Sequence, residues 1–198
     1  IVLFAHGSGS SRHSARNLEV AAFLNRSGIG TLLFDLLSEE EAHAQEKVFD
    51  IPLLASRLAL ATRWLSARKS TQDLPLGYFG ASTGGGAALW AAAELGDQIT
   101  AVVSRGGRPD LAMARLKEVS SATLLLVGGR DDLVLKLNQK ALSRLSSGKL
   151  SIIPGATHLF EEPGALASVA TQAKDWFLAN FNSARGSLPR LEKIRLRI

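Results

Sequence analysis

Short continuous apolar runs alternate along this chain with longer segments whose apolar positions recur at helical spacing. The runs are IVLFAH (1–6), GTLLFDL (30–36), LPLGYFG (74–80), QITAVVS (98–104), ATLLLVG (122–128) and KLSIIPG (149–155). A strand covered on one face alternates apolar and polar side chains, whereas one covered on both reads as an unbroken apolar run. Between the runs, residues 15–27, 51–69, 84–95, 109–119, 133–146 and 163–181 carry the spacing of helices. The alternation predicts an α/β fold, with a mostly parallel sheet of about six strands and helices on both faces. Ligands in such sheets bind beyond the carboxyl ends of the strands. The polar residues at those ends are His6 to Arg12, Asp35, Ser82, Ser104 to Arg108, Arg130 to Asp132, Thr157 and His158.

The stretch YFGASTGGGAALW (78–90) crowds four glycines around Ser82, between a predicted strand and a predicted helix. A phosphate-cradling P-loop needs Lys followed by Ser or Thr after its last glycine, and Gly86 is followed by Ala87. The spacing Gly80-x-x-x-Gly84-x-Gly86 also suits a short-chain dehydrogenase. That class needs a downstream Tyr-x-x-x-Lys, and the one tyrosine, Tyr78, has Ser82 at that spacing. Gly80-Ala81-Ser82-Thr83-Gly84 instead fits G-x-S-x-G, a sharp strand-to-helix turn that presents a nucleophile. Residues two before and two after the serine then come too close to carry side chains, while Gly85 and Gly86 lie further into the helix and should tolerate alanine better.

A pentapeptide alone decides nothing, because a serine hydroxyl needs a base that is itself oriented by an acid. Of the four histidines, His6 lies in the HGSGSS turn and reads as structural, His13 opens a helix, and His43 sits in the acidic connection SEEEAHAQEK (38–47). His158 follows the last strand in a turn made by Pro154 and Gly155. The acid is expected from the strand between the two, where Gly128 and Gly129 turn the chain into Asp131 and Asp132. Asp131 is assigned to catalysis and Asp132 to the cap of the following helix. Backbone amides of Ser8 and Thr83 are expected to hold a developing oxyanion.

The motifs HGSGSSR, GASTGG, GGRDDLV and PGATHLFEEPG together resemble the dienelactone hydrolase-like branch of the α/β-hydrolase superfamily, over residues 1–181. The resemblance implies an α/β-hydrolase fold without a cap domain, a triad of Ser82, Asp131 and His158, and Ser8 and Thr83 as oxyanion donors. It implies a small-molecule ester substrate and no cofactor or metal. It also implies further strands ahead of Ile1, and relatives fused to phosphoribosyltransferase domains, which makes a binding or partner module the competing reading. True dienelactone hydrolases use a cysteine nucleophile, and this chain has no cysteine.

Composition removes several other classes. The net charge of +5 is concentrated at one end, since Arg185, Arg190, Lys193, Arg195 and Arg197 against Glu192 place +4 of it after residue 184. The near-neutral body lacks the basic face that nucleic acid requires. No apolar run approaches bilayer length, and absent cysteine suits a cytoplasmic setting. Residues 1–182 are expected to form the hydrolase domain and 183–198 a basic tail. KIRLRI (193–198) reads as an edge strand, allowing a homodimer through the tail or a sheet edge. Arg12, Arg105, Arg108 and Arg130 all follow strand ends on the catalytic side. Arg105 and Arg12 are therefore candidates for binding an anionic substrate. Only residues 37–50 are long enough to lean over the site, so the pocket is expected to be shallow and open, favouring short acyl chains.

Overall fold

The computed structural model describes residues 1–186. Six strands form a single sheet: β1 (Val2–Ala5), β2 (Thr31–Leu33), β3 (Leu76–Ala81), β4 (Ile99–Arg105), β5 (Ala122–Gly128) and β6 (Gly148–Ile153). Their order is β2-β1-β3-β4-β5-β6, and every pairing is parallel. The helices are α1 (Ala15–Arg26), α2 (Glu39–Ala42), α3 (Gln45–Val48), α4 (Ile51–Ser66), α5 (Thr83–Leu95), α6 (Asp132–Leu142) and α7 (Ala165–Gly186).

Period-two alternation within the apolar runs builds two cores, one on each face of the sheet. In β1, Leu3 and Ala5 face the layer of α4 and α5, while Val2 and Phe4 face α1 and α7. Gly77 lets α7 lie directly on β3: a Cβ there would stand 2.8 Å from the Phe177 ring. The Trp176 indole N–H, donated to the Ala122 carbonyl at 3.1 Å, ties the same helix to β5. On the opposite face the fully buried Tyr78 hydroxyl lies 2.6 Å from Thr62 Oγ1, which itself donates to the Leu58 carbonyl. Burial pushes the Tyr78 hydroxyl well above its ordinary pKa, so it stays neutral.

One segment differs from expectation. Residues 109–119, expected to form one helix, make two short 3-10 turns at Pro109–Ala112 and Leu116–Glu118. Both place a buried side chain, Ala112 and Leu116, in the core shared with α5. The acidic connection forms α2 and α3. Ser38 and Glu41 make a reciprocal capping box at the start of α2, and Glu41 also pairs with Lys47 and Arg57. KIRLRI and the dimer reading built on it lie outside the described residues.

Candidate active site

β3 delivers Ser82 to the carboxyl edge of the sheet at φ +50° and ψ −122°. A side-chain-bearing residue adopts that conformation only where its surroundings impose it. The imposition comes from backbone. The Ser82 amide donates to the Arg105 carbonyl at 3.3 Å, and the Ser82 carbonyl accepts from the amides of Gly85 and Arg108 at 2.9 and 3.0 Å. A Cβ at Gly80 would lie 2.5 Å from the Gly84 carbonyl oxygen, and one at Gly84 would overlap the Ala5 carbonyl. Gly85 and Gly86 are also enclosed, though by wider margins. A Cβ at Gly85 would stand 2.6 Å from Ser104 Oγ, and one at Gly86 2.8 Å from the Arg108 carbonyl oxygen. All four glycines let α5 start flush against β1, β4 and the turn that follows β4.

Across the sheet, His158 Nδ1 lies 2.6 Å from Asp131 Oδ2. With Nδ1–H donated to the carboxylate, the neutral ring keeps Nε2 as its basic nitrogen. Asp131 Oδ1 accepts from the Val134 amide at 3.4 Å and so caps α6. The cap expected at Asp132 is thus corrected: Asp131 itself caps α6 through Oδ1 while Oδ2 meets His158, and Asp132 is the first residue of the helix. The loop carrying His158 hangs on side chains. Glu162 Oε1 accepts from the Thr157 amide at 3.0 Å. That bond, with the Arg130 charge adding to it, holds the Glu162 carboxyl below its ordinary pKa. Phe160, at φ +57° and almost fully buried, anchors the loop from below.

The expected oxyanion donors divide. Thr83 is the first residue of α5, where no preceding turn supplies an acceptor for its amide. The Ser8 amide, expected to be available, instead donates to Thr83 Oγ1 at 2.8 Å. His6 is structural, as read: Nδ1–H donates to the Gly7 carbonyl at 3.0 Å and Nε2 accepts from the Leu36 amide at 3.1 Å.

Ser82 and His158 line one cavity of about 250 Å³ together with Ser8, Arg16, Asn17 and Arg105. Arg105 is 8 % exposed, has no acidic partner among the described residues, and its Nε makes no hydrogen bond. Its guanidinium lies 5.7 Å from the centre of the Phe160 ring. Burial first, and the nearby Arg16 charge second, lower its pKa to about 10. Arg12 and Arg108 are committed elsewhere, to Asp35 and Asp110. The sequence reading missed Arg16 and Asn17. Arg16 bonds Glu161 at 2.8 Å while its Nε stays unpartnered, as does Asn17 Oδ1. Both fall inside an amphipathic helix, and nothing in the local pattern marks them.

A larger cleft of about 850 Å³ adjoins this cavity, sharing Gly7, Ser8 and Ser10 with it but holding neither Ser82 nor His158. Its walls include Ala42, His43 and Val48 of the α2–α3 segment and Leu54 of α4. The α2–α3 segment, the one connection long enough to lean over the site, thus forms part of this cleft's wall. Among the described residues no three His, Asp or Glu side chains converge as a metal site requires.

A serine on a strained turn between a parallel strand and a helix, at the sheet's carboxyl edge, is the arrangement of the α/β-hydrolases. Residues 1–181 match the family model of the α/β-hydrolase domain, and the chain belongs to that family. It is 56% identical to a dienelactone hydrolase of solved structure from Anabaena variabilis, with a TM-score of 0.89 over 91% of this chain and 86% of that one. Est1E from Butyrivibrio proteoclasticus shares the fold at 16% identity, with a TM-score of 0.78 over 91% of this chain and 88% of that one. Two proteins from strains of Mycobacterium tuberculosis, named provisionally as phosphoribosyl transferases, are 59% identical over 179 residues. That match covers 90% of this chain and 40% of each relative, so the chain spans well under half their length. No helix among the described residues is long and apolar enough to cross a membrane.

Proposed function

We propose that the protein is a serine hydrolase that cleaves a small ester or related acyl bond and favours anionic substrates. The observation that carries this is the 2.6 Å bond between His158 and Asp131, with His158 lining the same cavity as Ser82. In the proposed reaction Ser82 Oγ attacks the carbonyl carbon as its proton passes to His158 Nε2. The carbonyl π pair moves to oxygen, which the Thr83 amide and the Ser8 amide stabilise once the Thr83 hydroxyl yields it. The intermediate collapses, the leaving oxygen takes the proton from His158, and a serine ester remains. Water, deprotonated by His158, then releases the acid and restores Ser82. Asp131 keeps Nδ1 protonated and offsets the imidazolium charge. Every step uses side chains and backbone amides of this chain. The anion preference rests on Arg105, a buried cation without a counter-charge beside the reacting atoms.

The reading is tested by a fluorophosphonate probe. Covalent labelling at Ser82, lost in Ser82→Ala, supports it. The named relatives favour a second reading, a non-catalytic module serving a phosphoribosyltransferase, and a folded protein that stays unlabelled would rule out the serine hydrolase and leave that one standing. A cytoplasmic setting accords with either.

A further inference from the structure

The two adjoining cavities differ in volume, lining and charge, and the difference points to how a substrate must lie. Only the smaller one contains His158. With Nδ1 bound to Asp131, the single nitrogen free to protonate a leaving group is Nε2. The leaving oxygen must come within hydrogen-bond reach of that nitrogen, which confines the leaving group to the small cavity. Arg105, buried and unpaired, lies in the same cavity. Arg16 is there too, partly neutralised by Glu161. The larger cleft shares Gly7, Ser8 and Ser10 with the small cavity and also takes in Thr83. Of the substituents on a tetrahedral carbon bonded to Ser82, the oxyanion is directed to the Thr83 and Ser8 amides and the leaving oxygen to His158. The remaining one, the acyl chain, is left with the larger cleft.

We infer that the substrate is an acyl ester of a small hydroxy acid, its carboxylate-bearing leaving group held by Arg105 beside His158 and its bulkier acyl part in the cleft walled by α2 and α3. This rests on the serine hydrolase reading and adds a direction to it. Charge belongs on the alcohol half of the ester, and bulk on the acyl half. About 250 Å³ suits a two- or three-carbon hydroxy acid, whereas about 850 Å³ lies within the range of pockets that hold drug-sized groups.

The test compares acetylglycolate, whose carboxylate leaves with the alcohol, with monomethyl succinate, whose carboxylate stays on the acyl side, and with neutral ethyl acetate. Each kcat/KM is divided by that ester's alkaline hydrolysis rate to remove intrinsic reactivity. Acetylglycolate should lead both by about thirtyfold or more, the loss that follows when a buried charge pair is left unmade. Arg105→Met should collapse that lead. Bulk is then added to the acyl half as 3-phenylpropanoylglycolate. Ala42→Trp, which fills the large cleft from α2, should lower kcat/KM for this ester about tenfold more than for acetylglycolate. His43→Trp makes the same test from the adjoining residue if the first variant does not fold. A lead for monomethyl succinate, or equal effects of the tryptophan on both acyl sizes, overturns the assignment of halves. Fluorophosphonate labelling of the same samples separates the layers. A labelled Ser82 with the wrong preference defeats only this inference, while an unlabelled, folded protein defeats the hydrolase reading beneath it.

Discussion

The Ser82 turn and the His158 loop meet at one cavity, yet they are held in place by different means. The turn is fixed by backbone contacts and excluded volume: three main-chain hydrogen bonds reach Ser82, and no Cβ fits at Gly80 or Gly84. The loop depends instead on side chains. Asp131 holds the imidazole, Glu162 holds the amide of Thr157, and Phe160 fills the space beneath. A backbone-held element fails as a whole when a methyl group is forced into it. A side-chain-held element loses one contact at a time, so its variants should fold and report on chemistry.

The sharpest way to break this contrast is one methyl group placed on each side. Gly84→Ala puts Cβ against the Ala5 carbonyl, where only movement of β1 or α5 relieves the overlap. It should cost more than about 4 kcal/mol or abolish folding. Gly155, in the turn before His158, has φ +73° and no heavy atom within 4 Å of its hypothetical Cβ. Gly155→Ala therefore meets only the left-handed backbone penalty, about 1–2 kcal/mol. Urea unfolding of the two variants measures the gap. Equal losses would mean that the turn is no more tightly enclosed than the loop.

Next in size are effects on rate with the fold intact. Ser82→Ala and His158→Ala should each lower kcat by roughly 10⁴-fold to 10⁶-fold, with unfolding midpoints unchanged. Asp131 separates two duties. Asn at this position still caps α6, so Asp131→Asn should cost rate, by less than the other two, and almost no stability. Asp131→Ala should lose the rate and about 1 kcal/mol of capping as well. Asp132→Asn should change neither. Rate loss at Asp132 with a benign Asp131→Asn would reverse the assignment.

Much of this arrangement was legible in the sequence, for definable reasons. Strands buried on both faces leave unbroken apolar runs, and six such runs became the six strands. Ser82 was legible because its turn excludes side chains at fixed offsets, which writes glycine into the sequence. The choice between Asp131 and Asp132 for the cap failed because both satisfy the capping preference, and only the register of α6 separates them. Residues 109–119 carried helical spacing, but apolar positions three apart serve a pair of 3-10 turns equally well. Arg16 was invisible because its partner, Glu161, lies 145 positions away. Arg105 was noticed for its place at a strand end, whereas its burial without a counter-charge needed the folded chain.

That burial gives the third prediction. A guanidinium with its pKa lowered to about 10 from 12.5 has lost hydration without gaining an acidic partner among the described residues. The difference corresponds to about 3 kcal/mol of stability withheld at neutral pH. Because the folded value is the lower one, the penalty is complete below about 10 and is relieved as pH rises from there toward 12.5. Arg105→Met keeps an unbranched side chain against Phe160 and removes the charge. It should raise the unfolding free energy at pH 7, while lowering kcat/KM on anionic esters and sparing neutral ones. Scanning calorimetry and a pair of matched esters read both effects. A less stable variant would mean that the guanidinium is held by its contact with Phe160 more strongly than desolvation disfavours it.

The smallest expected effect probes the loop through Glu162, which touches no reacting atom and positions His158 through the backbone of Thr157. Loss of that acceptor should let the loop relax, and imidazole misplacement alone should lower kcat by about tenfold with little change in KM. Glu162→Ala should show this, and Glu162→Gln, which keeps a carbonyl oxygen for the Thr157 amide, should recover most of it. Acid unfolding supplies an independent reading. A carboxyl whose folded pKa is lowered contributes stability above its free value of 4.5, and loses it as pH falls through the folded value. Below pH 4.5 the wild-type chain should therefore destabilise more steeply than Glu162→Gln, and near neutrality the slopes should coincide. If Gln fails as badly as Ala in kcat, the carboxylate charge facing Arg130 holds the loop rather than the hydrogen bond. If neither variant changes kcat, Phe160 alone suffices as the anchor, and the His158 loop is closer in kind to the Ser82 turn than its contacts imply.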